Sequence, residues 1–115
     1  MLPPQKLAAL KRNRDLRLAQ AGQHIACGRH YQAETLLRGA LEEWRKEGAP
    51  QGEEGPIVGQ LGKALEGQRK YEEAYELYMQ ALNYLTGPAY DELYSQFLYL
   101  NQRMGTFDKK QDYGY

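Results

Sequence analysis

His24, Cys27 and His30 stand three residues apart, a spacing at which soft-metal ligands recur. On a helix, His24 and Cys27 share a face, but Gly28 breaks that helix before His30. Zinc asks for four ligands, or three and an open position, and there is no second Cys/His pair to supply them. Gly62-Lys63 suggests a phosphate loop. That loop needs a glycine five residues ahead and a hydroxyl after the lysine, where Ile57 and Ala64 stand. The candidate nucleophiles are Cys27, Ser95, Thr35, Thr86 and Thr106. Ser95 has no histidine near it in sequence, and Cys27 has His24 and His30 as bases but no carboxylate to orient them. The pairs Glu42-Glu43, Glu53-Glu54 and Glu72-Glu73 read as solvated faces or loop. The expectation is a chain that is not an enzyme and carries no cofactor and no metal.

The chain has 115 residues, with 15 Lys+Arg against 15 Asp+Glu, so its formal net charge is zero. Hydrophobic residues make up 42%, too many for a disordered chain, and the length suits one domain. No apolar run approaches the roughly 20 residues of a membrane span, and the N-terminus lacks a leader's apolar stretch. Together with a lone cysteine, this reads as a cytoplasmic protein. Residues 1–30 nevertheless hold six Lys/Arg against one Asp. Lys6, Lys11, Arg12, Arg14 and Arg17 could touch phosphates, yet no aromatic residue lies among them for base stacking. Docking of this stretch onto the acidic Glu53-Glu54 loop or onto an acidic partner explains the charges without nucleic acid.

The elements that must position these groups are helices. Strand patterns are nearly absent, and apolar residues recur at helical spacing. The first pattern runs from about Leu7 to Cys27, as one long helix or two, and Gly28 ends it. The second runs from Tyr31 to about Trp44, with an apolar face wide enough for two neighbours. Three glycines and two prolines in residues 46–56 mark a loop, with Pro56 suited to the first turn of the next helix. A third helix covers Ile57 to about Glu66, and a fourth covers about Tyr71 to Leu85, stopped by Thr86-Gly87-Pro88. A fifth spans about Tyr90 to Met104, after which Gly105 to Tyr115 has too few apolar groups for another helix. Seven of the ten tyrosines fall between residues 71 and 99, so some should fill the core and the rest should mark an exposed surface.

The helices repeat. Leu18, Ala21, Gly22 and Ile25 align with Val58, Leu61, Gly62 and Leu65 at a separation of 40. Ala33, Leu36, Leu37, Ala40 and Leu41 align with Ala74, Leu77, Tyr78, Ala81 and Leu82 at 41. On this alignment the first copy has a turn one residue short. The small residues read as places where paired helices come close, and Gly59 and Gly62 share that reading. Val58-x-x-Leu61-Gly62-x-x-Leu65, followed by Tyr71-Glu72-Glu73-Ala74, Tyr78 and Ala81, resembles the tetratricopeptide repeat family over roughly residues 16–85. The long separation is similar to that of kinesin-light-chain-type repeats.

The resemblance implies an all-α fold, a right-handed stack of antiparallel helix pairs forming an α-solenoid. It comprises about two repeats, and the fifth helix serves as a C-terminal cap. The organisation expected is a basic N-terminal extension or helix at 1–15, the helical domain at 16–104 and a flexible tail at 105–115. The resemblance also implies a concave groove lined by Gln20, Gln23, Gln60, Lys63 and Glu66, with Gln96 and Tyr99 from the fifth helix. Glutamines and a lysine suit the backbone of an extended peptide. The two-carboxylate clamp of chaperone-tail-binding members is not expected, because its positions hold Ala19, Gln23, Gly59 and Lys63. A second contact surface is expected at Tyr90, Tyr94 and Arg103, where the fifth helix has no following partner. The function expected is a non-catalytic protein-binding or assembly module for a peptide segment of another protein. The alternatives are a nucleic-acid adaptor using the basic N-terminal helix, and a self-association element forming homo-oligomers.

Overall fold

The computed structural model describes residues 2–112, with side chains described as far as residue 105. The described residues are all-α. They form α1 (Pro4–Ala26), α2 (His30–Lys46), α3 (Gly55–Gly67), α4 (Tyr71–Leu82) and α5 (Gly87–Asp112), with a 3₁₀ turn at Gln51–Glu53 before α3. Each helix packs on the next, α1 also reaches α3, and α3 also reaches α5. The result is an elongated body of 57 × 30 × 21 Å. No described helix is long and apolar enough to cross a membrane.

The odd-numbered helices begin in the same way. Pro4, Pro56 and Pro88 each stand in a first turn, where the missing N–H would have had no intrahelical acceptor. α1 is one continuous helix through Lys11-Arg12-Asn13-Arg14. α3 lies between the others and buries Ile57, Val58, Leu61, Ala64 and Leu65. Trp44 and Leu37 of α2, Tyr78 of α4, and Leu93 and Leu100 of α5 complete the core. The Trp44 indole N–H donates to the Pro50 carbonyl at 2.8 Å, which fixes the loop between α2 and α3.

The two interhelix turns within the pairs are equivalent residue for residue. Cys27 (φ −94°, ψ 6°) corresponds to Gln68 (φ −92°, ψ 3°), and Arg29 (φ −88°, ψ 66°) to Lys70 (φ −89°, ψ 62°). Between them Gly28 and Arg69 both adopt positive φ, 78° and 63°. The hydrogen bonds match too: Arg29 N–H to His24 O at 2.7 Å, and Lys70 N–H to Leu65 O at 2.9 Å. Both turns therefore have the same length, with every equivalence at a separation of 41. The shorter first turn expected from sequence is corrected, and so is the 40-residue offset of the first and third helices. Ala21, not Gly22, is the counterpart of Gly62. Both are buried, and both stand 12 residues before the buried alanines Ala33 and Ala74.

Several boundaries differ from the sequence reading: α1 begins at Pro4 and not near Leu7, and α3 at Gly55 and not at Ile57. α4 ends at Leu82, although Leu85 stays buried and bonds its N–H to Ala81 O. α5 starts at Gly87, because Pro88 favours a first turn. It continues through Gly105 to Asp112, past Met104, so residues 106–112 prolong the helix and do not fold back over it. The remainder of the expected tail, residues 113–115, lies outside the described residues. Glu54 is a further correction. It is not solvated but 1% exposed, and it accepts hydrogen bonds from Arg45 Nη2 at 3.0 Å and from the Tyr84 hydroxyl at 2.7 Å. Burial first, and then the bond to Glu54, push the Tyr84 hydroxyl up to about 12.

Candidate binding surface

The residues expected in one groove fall into three neighbourhoods. Gln20 and Gln23 of α1 line an open depression at the α1–α2 edge, with Tyr31 and Leu36 of α2. Gln60 and Lys63 of α3 and Gln96 of α5 line a cleft of about 350 Å³. Glu66, Tyr99 and Arg103 meet at the far end of α3, around Tyr71.

Missing side chains let α5 come close to α3 beside this cleft. A Cβ on Gly55 would come within 3.2 Å of the Ala89 Cβ, and one on Gly59 within 3.0 Å of Gln96 Oε1. The backbone of α3 is thus bare where α5 crosses it. Gln96 Nε2 donates to the Gly59 carbonyl at 3.1 Å and to the Tyr78 hydroxyl at 3.3 Å. Gln96 therefore ties α5 to α3 and α4. Gln60 Oε1 is buried without a hydrogen-bond donor, beside Gly22 of α1. Lys63 and Glu92, on opposite helices of the cleft, are exposed and have no ion-pair partner among the described residues. The cleft thus offers one free ammonium and one free carboxylate.

Glu66 is already engaged. It accepts from the Tyr78 hydroxyl at 2.8 Å and pairs with Arg103 at 3.3 Å. Arg103 also donates to the Tyr71 hydroxyl at 2.9 Å and lies 5.1 Å over the Tyr71 ring and 5.9 Å from that of Tyr99. Burial and the neighbouring Glu66 carboxylate raise the Tyr78 hydroxyl far above its ordinary value, so it stays a donor. Tyr90 and Tyr94 stand elsewhere, on the side of α5 turned toward α4. Their rings stack at 5.7 Å, and the row continues through Phe97 to Tyr75 of α4.

The basic residues of α1 turn inward on acidic neighbours. Lys6 pairs with Glu47 at 3.1 Å, Lys11 with Glu53 at 3.1 Å and Arg17 with Glu43 at 2.7 Å. Arg14 bonds the Glu53 carbonyl at 3.1 Å and lies 5.1 Å over Trp44. Arg12 alone of that stretch has no partner among the described residues.

His24, Cys27 and His30 do not converge. His24 Nδ1 accepts from Arg29 Nε at 3.0 Å, Cys27 is exposed, and His30 packs across Gly67 at the end of α3. Among the described residues no three His, Cys, Asp or Glu side chains gather as a metal group. Gly67 is needed because a side chain there would collide with the His30 ring. Sequence reasoning missed that contact, as well as Glu34. Glu34 is 7% exposed in α2 and holds Arg38, Gln68 and Lys70. Compared with protein-family models, with curated proteins and with solved structures, the chain gives no match.

Proposed function

We propose that the protein is a non-catalytic binding module of tetratricopeptide-repeat type, holding an extended segment of a partner protein in the cleft between α3 and α5. The observation that carries this reading is the unspent polar set there. Lys63 can meet a backbone carbonyl or a carboxylate, and Glu92 an amide or a basic side chain. Gly55 and Gly59 let α5 lie close on α3, which holds the two walls of the cleft in place. The matched turns, 41 residues apart, support the repeat character that the reading assumes. The internal pairing of Lys6 with Glu47, Lys11 with Glu53, Arg14 with Asp15 and Arg17 with Glu43 speaks against the nucleic-acid alternative, since those charges are already met by acids of the same chain.

The test is recovery of bound proteins on the tagged chain, with amine-directed cross-linking read by mass spectrometry. The expected result is a protein partner cross-linked at Lys63 and weakened at least about tenfold by Lys63→Glu. A partner that binds Lys63→Glu as well as the original chain would remove the cleft from the proposal. Absence of any protein partner, with turnover of a small substrate by the purified chain, would remove the whole reading.

A further inference from the structure

A second surface lies on the other side of α5 and shares no residue with the cleft. Met79 of α4 and Tyr94 and Leu98 of α5 are 46%, 41% and 43% exposed. Tyr75, Tyr90 and Phe97 are half-buried, and with Tyr94 they make a continuous row of four rings, Tyr90, Tyr94, Phe97 and Tyr75, with centroids 5.1 to 6.3 Å apart. This is an apolar trough between two helices, in which Tyr75, Tyr90 and Phe97 are more buried than Met79, Tyr94 and Leu98.

Its rim is acidic. Glu72 and Glu76 share the α4 face of Met79, at i, i+4 and i+7. Asp91 shares the α5 face of Tyr94 and Leu98, at i, i+3 and i+7. All three carboxylates are exposed and have no ion-pair partner among the described residues, whereas the neighbouring Glu73 is paired with Arg38. Over residues 72–83 and 91–102 no lysine or arginine stands on these two stripes.

The fold itself shows what such a trough receives. α3 is seated against both α1 and α2, and α5 is seated against both α3 and α4. Two consecutive pairs, α1–α2 and α3–α4, thus hold a further helix across them, and the described residues place none on the pair α4–α5. We infer that the α4–α5 trough is the docking site for an amphipathic helix of a partner protein. That helix lays an apolar stripe on Tyr75, Tyr94, Phe97 and Leu98 and brings lysines or arginines to Glu72, Glu76 and Asp91. Aromatic side chains already half-ordered by one another lose little freedom on binding, which suits them as anchors. The three carboxylates select the sign of the incoming helix and speed its approach.

The experiment is selection from a displayed library of helical peptides about four turns long against the full chain. Enriched sequences should carry apolar residues at i, i+3, i+4 and i+7, flanked by lysine or arginine. An enriched peptide, made synthetically and measured by fluorescence anisotropy, should bind Leu98→Lys and Tyr94→Lys at least about tenfold more weakly. The double variant Glu76→Lys, Asp91→Lys leaves the trough walls intact and should weaken the same peptide by a similar factor. Lys63→Glu should leave it unchanged, so failure here and failure of the α3–α5 cleft read separately. Enrichment of no peptide, enrichment of acidic or extended ones, or indifference to the rim reversal would overturn the inference. So would light scattering that shows a dimer dispersed by Leu98→Lys, since the trough would then belong to a second copy of this chain.

Discussion

Two glycines that look alike in sequence do opposite work. The Tyr78 ring lies directly over Gly62, so a methyl group at that position collides with a side chain that is buried and held through its hydroxyl by Glu66 and Gln96. Tyr78 cannot retreat without breaking those bonds. Gly62→Ala should therefore cost about 1–3 kcal/mol by overpacking. A Cβ on Gly22 would meet only the Gln60 amide, at an ordinary 3.8 Å. Gly22→Ala should instead gain about 0.5–1 kcal/mol from helix propensity. Urea denaturation of the two variants checks both signs. Equal effects would mean that Gly22, not Ala21, is the true counterpart of Gly62.

At the scale of elements, helix positions were legible because apolar spacing and Pro/Gly punctuation act locally. α1 to α4 follow the expected stripes, and Pro56 stands in its first turn as expected. The register between copies was not fully legible. Sequence alone favours matching glycine with glycine, Gly22 with Gly62, whereas the equivalence is fixed by the backbone of the turn. There Arg69 takes the left-handed conformation that Gly28 takes in the first copy, at some cost for a residue with a Cβ. Of the expected groove, the trio Gln60, Lys63 and Gln96 is brought together, but Gln20 and Gln23 line a different depression. Glu54 and Glu34 were illegible because their partners are distant in sequence. Arg45 and Tyr84 close on Glu54 across 9 and 30 residues, and Gln68 and Lys70 on Glu34 across 34 and 36. Glu34 clamps α2 to the α3–α4 turn. Burial alone would raise its carboxyl, but hydrogen bonds from Gln68, Arg38 and Lys70 outweigh that and hold it below the ordinary carboxylate range. Its contribution is then fully present above the unfolded-state value of about 4.3 and is lost as the pH falls through the lower folded-state value. Glu34→Gln should cost about 1 kcal/mol at neutral pH, a modest figure because Arg38 and Lys70 reach it from the solvent side. Denaturation curves of the variant and the original chain should converge as the pH falls through that lowered value. A difference that persists undiminished there would mean that the clamp acts through packing and not through charge.

For the molecule as a whole, stability should fall away from the middle. α3 touches all four other helices and buries residues on nearly every side, so no neighbour can leave without exposing part of it. α1, by contrast, is covered on one side only, and its described first turns, up to Leu10, bury little. In a stack where each element is held by its neighbours, the central one opens only when the rest has opened. Hydrogen exchange read by mass spectrometry should find the slowest amides in α3, exchanging at the free energy of global unfolding. The first two turns of α1 should exchange fastest among the described helices. Both proposed binding surfaces use α5, one on its α3 side and one on its α4 side, so a bound peptide at either should slow exchange in α5 before it affects α1. Protection in α2 or α4 that outlasts α3 would mean that the helix pairs fold as separate units. In that case the shared core around Ile57, Leu61 and Leu65 would not be what joins them.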